Sequence, residues 1–109
     1  MENKSIFLKA MGDYPSMRVL DFLMENYVFD YSKTQIAEQA EVSFNTLESF
    51  WNKLIEFGII ERTRKVGRSE MYKLNRENQM VKKLVEIDIW LSKNYADSIL
   101  AEEKVPIFS

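Results

Sequence analysis

The segment most informative about the fold is SKTQIAEQAEVSFNTLESFWNKLIEF, residues 32–57. Ser32 followed three residues later by Gln35 is a capping box, which predicts a short helix through Ala40. Ser43 is placed to cap the next helix, whose apolar residues recur in three- and four-residue steps: Leu47, Phe50, Trp51, Leu54 and Phe57. So short a joint between two helices is typical of a helix-turn-helix.

An amphipathic helix is predicted upstream of this stretch. Asp13 is placed to cap it, and Pro15 suits its first turn because the N–H that proline lacks is unpaired there in any case. The expected buried stripe ends near Asn26 and consists of Val19, Leu20, Leu23, Met24 and Tyr27. Residues 28–31 form a short β-prone segment, and residues 1–11 are apolar enough to pack but too short to assign.

A hairpin and a long helix are predicted downstream. Gly58 stands where a left-handed residue commonly ends a helix. Residues 59–65 and 70–74 are the expected strands. The last helix runs from about Asn78 to about Leu100, with one broad apolar arc: Met80, Val81, Leu84, Val85, Ile87, Leu91, Tyr95 and Ile99. We therefore expect a mainly α protein with a small β-hairpin (α+β), in one domain of residues 1–109.

Composition excludes several classes of function. The chain has 109 residues, 46% hydrophobic and 29% charged, with no cysteine and no histidine. The commonest general base, thiol chemistry and the usual transition-metal ligands are therefore missing, so we expect no enzyme, no metal site and no cofactor. No apolar run is long enough to span a membrane, and residues 1–15 lack the features of a secretion signal. The absence of cysteine fits a cytoplasmic protein.

Charge is unevenly distributed along the chain. Residues 61–76 hold six basic and two acidic residues, a net charge of +4, which leaves −6 for the rest of a chain whose total is −2. A basic hairpin on an acidic body can bind a polyanion through one face. The alternative is a hairpin that is merely well solvated. Asp30 also looks solvated in the sequence.

The order of motifs resembles the winged helix-turn-helix transcriptional regulators, in particular the archaeal MarR/ArsR-like group. The resemblance covers roughly residues 12–78, and its clearest parts are residues 35–47, 54–62 and 67–75. It implies a sequence-specific regulator that binds double-stranded DNA, with a recognition helix in the major groove and a basic wing on the backbone or minor groove. Glu41 is a departure, because many members have glycine at that turn.

The resemblance assigns candidate DNA-binding residues to three places. The recognition helix contributes Ser43, Phe44, Asn45, Thr46, Glu48, Ser49, Asn52 and Lys53. The wing contributes Arg62, Arg64, Lys65 and Arg68. The start of the preceding helix offers a phosphate contact through Lys33, Thr34 and Gln35. Each polar residue of the recognition helix can equally be plain surface. Trp51 is expected in the core, and Phe44 is expected to pack near Phe29.

Two questions about partners stay open at the level of sequence. The last helix has more apolar surface than one small domain needs to cover its core, which predicts a homodimer. Its expected interface residues are Met80, Leu84, Ile87, Trp90, Leu91 and Tyr95. Residues 79–100 would form the dimerisation helix, and residues 101–109 a flexible tail. A monomer with the helix as a lid is the alternative. Residues 43–57 carry a net charge of −1. That acidity favours a second function, a protein–protein interaction module that does not bind DNA.

Overall fold

The computed structural model describes the backbone of residues 4–104 and the side chains of residues 4–95. Within them, helices and one two-stranded antiparallel sheet follow in chain order: α1 Ile6–Met11, α2 Pro15–Glu25, α3 Lys33–Gln39, α4 Phe44–Glu56, β1 Ile60–Val66, β2 Ser69–Leu74 and α5 Gln79–Lys104. The predicted fold class, mainly α with a small hairpin, is confirmed. The predicted tail of residues 101–109 begins inside α5, and residues 105–109 lie outside the described part.

Local capping fixes the joint between α3 and α4. The Gln35 N–H donates to Ser32 Oγ and the Ser32 N–H donates to Gln35 Oε1, so the predicted capping box is present. Ser43 Oγ accepts from the Thr46 N–H at the start of α4. Between the helices Glu41 adopts a left-handed conformation, with φ of 58°. Its carbonyl accepts a hydrogen bond from Arg18 of α2, which helps to hold this strained residue in place.

Helices α1 to α5 and the hairpin all contribute to one buried core. Ile36 and Leu47 are fully buried where the two helices cross, beside the small Ala37. Trp51 is buried as predicted, and its ring meets Tyr72 of β2 edge-on with 4.9 Å between centroids. This aromatic contact attaches the hairpin to the same helix whose outer face carries the candidate recognition residues.

Three expectations for the N-terminal half are wrong. Asp13 does not cap α2: the N-cap residue is Tyr14, without a side-chain hydrogen bond, and Asp13 instead pairs with Arg18 at 2.6 Å because the two charges attract. Tyr27 is exposed rather than part of the buried stripe, since α2 has already ended. The β-prone segment contributes a single bridge, Tyr31 to Tyr72, and no strand. Residues 6–11 form the helix α1, which packs on α5.

An acidic residue is buried between the N-terminal helices. Asp21 of α2 is a core residue, and Ser5, the N-cap of α1, donates a hydrogen bond to its carboxylate at 2.9 Å. Burial, with smaller contributions from the charges of Glu25 and Asp88, raises the pKa of Asp21 to about 6 against the opposing effect of that hydrogen bond. The body therefore holds a carboxyl group that loses its proton near neutral pH.

We expect Asp21→Asn to stabilise the protein at pH 7 more than at pH 4. The folded pKa lies above the unfolded value of about 3.9, so the folded state binds more protons between roughly pH 4 and 6. That contribution is complete below pH ~4 and is lost as pH rises through ~6. Asparagine keeps an acceptor for Ser5 without the charge, so the gain at pH 7 is about 1–3 kcal/mol.

The measurement is urea unfolding of the variant and wild type at both pH values. Glu38→Gln, an exposed carboxylate on α3, removes a charge without a buried carboxyl and serves as control. A loss of stability in Asp21→Asn that is the same at pH 4 and pH 7 would contradict the assignment.

Candidate nucleic-acid interface

The outer face of α4 is polar and accessible. Of the eight candidate residues Thr46 is half-buried, and the others are exposed: Ser43, Phe44, Asn45, Glu48, Ser49, Asn52 and Lys53. The three hydroxyls are used locally, because Ser43 donates to Thr46 Oγ1 at 2.8 Å and Ser49 donates to the Thr46 carbonyl at 2.5 Å. Phe44 and Phe29 both remain exposed.

Two amide side chains on this face are available for recognition. Asn45 and Asn52 make no hydrogen bond within the described residues, so both amides keep their donors and acceptors. Seven residues separate them, which is about two helical turns or ~10.5 Å along the axis. They therefore lie on one face at a spacing of roughly three base pairs, at about 3.4 Å per pair. An asparagine amide can bond an adenine edge through two hydrogen bonds.

The hairpin is the wing of this fold, and its pairing is irregular at Thr63. Arg62 lies opposite Tyr72, whereas Arg64 lies opposite the adjacent residue Met71, so one extra residue is inserted in β1. Because neighbouring residues of a strand face opposite sides, the insertion turns Arg64 to the other face from Arg62. The turn itself is short, with Gly67 in the left-handed conformation at φ of 60°.

Most cations of the candidate interface are paired with carboxylates. Arg62 pairs with Glu70 across the hairpin. Arg64 binds Asp30 through two nitrogens, at 2.9 and 3.1 Å. Lys65 and Arg68, at the wing tip, have no ion pair in the part of the chain that the structure describes. The strongest uncompensated positive charge of the wing is therefore at its tip.

Asp30 is a site residue that the sequence did not identify, and the expectation that it is solvated is wrong. Its side chain is 13% exposed, and it accepts hydrogen bonds from Arg64 and from Thr63 Oγ1 at 2.5 Å. These hydrogen bonds, that of Arg64 first, lower the pKa of Asp30 to about 2. The loop before α3 is thereby tied to β1, and no local pattern could have indicated a pair 34 residues apart.

Lys33 occupies a similar position at the start of α3. Its Nζ lies 2.9 and 3.1 Å from the two carboxylate oxygens of Glu48 on α4, and 5.3 Å from the centre of the Trp51 ring. Gln35 is occupied by the capping box, and Thr34 is exposed. Of the three candidate phosphate contacts, Lys33 is thus available only when its ion pair opens.

The candidate regions meet at one cleft of about 240 Å³. It is lined by the start of α3, by Phe44 at the start of α4 and by the start of β2, namely Ser32, Lys33, Thr34, Phe44, Ser69, Glu70 and Tyr72. The beginning of the recognition helix, the N-terminus of α3 and the start of β2 next to the wing tip therefore border the same depression. Such an arrangement can present α4 and the wing to one elongated ligand.

The candidate dimerisation residues divide into two sets on α5. Leu84 and Leu91 pack against the core of their own chain, next to the fully buried Val81. The other four are exposed large side chains: Met80, Ile87, Trp90 and Tyr95. The Trp90 and Tyr95 rings contact each other with 5.3 Å between centroids. One apolar arc thus covers the body on one side and leaves aromatic surface uncovered on the other.

Asp30→Asn is expected to weaken DNA binding rather than strengthen it, although it removes a negative charge. The amide cannot form the paired contact with the Arg64 guanidinium, so the wing loses its attachment to the loop before α3. We expect about a three- to tenfold weaker affinity, which corresponds to the net contribution of roughly one ordinary hydrogen bond.

Fluorescence anisotropy with a labelled duplex measures this affinity. Glu38→Gln, an exposed charge change on α3, is the matched control. Tighter binding by Asp30→Asn would show that Asp30 acts as a repelling charge and not as an anchor of the wing.

The described residues contain neither a membrane-spanning helix nor a cluster of metal ligands. No helix among them is long and apolar enough to cross a membrane. No group of three or more acidic side chains within residues 4–95 is arranged so that it could hold a metal ion.

Comparison with solved structures shows the winged helix-turn-helix fold. NadR in complex with 4-hydroxyphenylacetate aligns with a TM-score of 0.59 at 20% identity, over 91% of this chain and 70% of NadR. The transcriptional repressor CouR bound to a 23-mer DNA duplex gives 0.59 at 20%, over 88% and 68%. The DNA-binding protein Sso10a-2 from Sulfolobus solfataricus gives 0.52 at 11%, over 86% and 98%. No protein-family model and no curated protein sequence matches this chain.

Proposed function

We propose that this chain is a sequence-specific regulator of transcription that binds double-stranded DNA in the cytoplasm. The observation that carries the proposal is the shared cleft, where the starts of α3, α4 and β2 meet. A duplex lying across this side can receive α4 in its major groove while the wing reaches the flanking backbone or minor groove. Two of the similar structures, CouR and Sso10a-2, are DNA-binding by their descriptions, which supports this use of the fold.

The proposed contacts follow from which side chains are unoccupied. Asn45 and Asn52 read base edges, because their amides are accessible and unbonded among the described residues. Lys65 and Arg68 bind phosphates or enter a narrow minor groove, where arginine is favoured. Ser43, Thr46 and Ser49 stabilise the start of α4 and contribute less to recognition, since their hydroxyls already have partners.

We propose a homodimer in which α5 meets its copy. Met80, Ile87, Trp90 and Tyr95 supply the interface, whereas Leu84 and Leu91 support it from within the body. Two recognition helices about one DNA turn apart, roughly 34 Å, then select palindromic sites. Sedimentation at micromolar concentration tests the dimer, and a single 12.9 kDa species would exclude it.

Selection of bound sequences from a random duplex pool tests the whole proposal. A palindromic motif supports both base reading and dimerisation. If no motif emerges and no duplex binds at low salt, the protein–protein interaction module is favoured instead. One observation supports that second function: Lys33, Arg62 and Arg64 are already neutralised by carboxylates. An enzymatic function has no comparable support, since histidine and cysteine are lacking.

A further inference from the structure

We propose that Glu48 and Glu70 are internal competitors for DNA phosphates, which hold Lys33 and Arg62 in ion pairs that must open before either cation binds the duplex. The inference rests on the proposed function and concerns the regulation of that same surface. It starts from the position of the two pairs, since Lys33 and Glu70 both line the cleft where α3, α4 and the wing meet. A phosphate approaching this cleft meets each cation together with its carboxylate.

Geometry shows that both carboxylates are well placed to compete. Glu48 presents both oxygens to the Lys33 ammonium, at 2.9 and 3.1 Å, and thereby satisfies two of its three donors. Glu70 accepts from Arg62 across the hairpin. A carboxylate in such a pair occupies the position and makes the hydrogen bonds that a phosphate oxygen would take.

The exposure of the carboxylate side chain distinguishes the ion pairs that can exchange their carboxylate for a phosphate. The side chains of Glu48 and Glu70 are 45% and 39% exposed, and exposed ion pairs contribute little stability in water. Asp30, at 13% exposure and with hydrogen bonds from both Thr63 and Arg64, is held far more firmly. We therefore assign Asp30–Arg64 to positioning the wing and the two glutamate pairs to exchange with phosphate.

The consequence is a surface that binds phosphates weakly until it is correctly docked. The charges of Lys33 and Arg62 are cancelled by those of their glutamate partners. Lys65 and Arg68 at the wing tip therefore provide the remaining attraction for phosphates. Non-specific DNA binding is almost entirely electrostatic, whereas specific binding adds contacts to base edges. Internal competitors therefore lower the affinity for DNA in general and favour sites where the base contacts compensate for opening the ion pairs.

The test measures binding of a fluorescein-labelled random-sequence duplex across a salt series. The variants are Glu48→Gln, Glu70→Gln and their combination, with Glu86→Gln on α5 as a control of equal charge outside the cleft. We expect each variant at the cleft to bind about two- to fivefold more tightly. The salt dependence should steepen by up to about 0.9 for each cation that gains a phosphate, and Glu86→Gln should leave both quantities unchanged.

A second background separates competition from a general charge effect. Lys33→Met keeps the apolar stem beside Trp51 but removes the ammonium, so Glu48→Gln should have no effect in that background. The inference is overturned if Glu48→Gln tightens duplex binding equally in the Lys33→Met background, if Glu86→Gln tightens it as much as the cleft variants do, or if no variant binds more tightly. In each of these cases, duplex binding by the wild type still preserves the proposed function. Failure of the wild type and of all variants to bind any duplex at low salt removes the proposed function itself.

Discussion

Replacing Lys65 and Arg68 together by alanine should reduce affinity for every duplex by about a hundredfold per protomer at ~0.1 M salt. These two wing-tip cations have no carboxylate partner in the part of the chain described by the structure, so their charge is fully available to phosphates. Each lost phosphate contact removes a slope of about 0.9 in log affinity against log salt, which is close to one order of magnitude at that concentration. The salt dependence should therefore flatten by about two per protomer.

A matched pair of lysines controls for the change in net charge. Lys82 and Lys83 are exposed on α5, and alanine at both removes the same two charges outside the candidate interface. Anisotropy titrations of both double variants over a salt series measure the affinity and the slope. Equal losses in the two double variants would mean that overall charge, and not the wing tip, governs binding.

Leu47→Ala should cause the largest loss of stability among single changes in the helix-turn-helix. Leu47 is fully buried between α3 and α4, so the truncation removes apolar contacts and leaves a cavity. The expected cost is about 2–5 kcal/mol, a large share of the ~5–15 kcal/mol that stabilises a typical domain. We expect the midpoint of thermal unfolding to fall by about 10 °C or more.

Ile55→Ala on the same helix isolates burial from helix propensity. Ile55 is 42% exposed. Both variants lose an aliphatic side chain of similar size, and alanine favours the helix in both, so they differ mainly in burial. Its cost should be below about 1 kcal/mol. Thermal and urea unfolding compare the two, and similar losses would show that the crossing of α3 and α4 is not the tightly packed centre of the domain.

Elements whose causes are local were predictable from the sequence. The capping box at Ser32 and Gln35, the cap at Ser43 and the left-handed Gly58 depend on residues within three or four positions. The amphipathic period of α4 also predicted which side is buried, with Trp51 inward and Asn52 outward. Phe57 is the exception: it was predicted in the same apolar stripe but is 59% exposed, because α4 ends at Glu56. The helix-turn-helix and the candidate recognition face followed from these short-range rules.

Failures occurred where the partner of a side chain, and not the pattern around it in the sequence, decided the outcome. Aspartate is a preferred N-cap residue, but the Arg18 guanidinium competes for the Asp13 carboxylate. The β-prone segment ending at Tyr31 finds only one bridge on the edge of β2. Asp30 looked like a solvated loop residue because its partner Arg64 is 34 residues away, while the neighbouring Lys33 pairs with Glu48 instead. The register shift at Thr63, which turns Arg64 towards the other face, is equally invisible in the sequence.

Helices α2 to α5, the hairpin and the concentration of basic residues in the wing follow from the sequence alone, because caps, apolar periods and composition act over a few residues. The short helix α1 does not, because six residues are too few for an apolar period and it is held by packing on α5. Tertiary structure alone decided which of those cations are free. Lys33 meets Glu48 and Arg64 meets Asp30 only after α3, α4 and the hairpin have packed, since an ion pair depends on a distance of a few ångströms that chain separation does not specify. Packing therefore left the wing tip uncompensated and neutralised the cations beside the cleft.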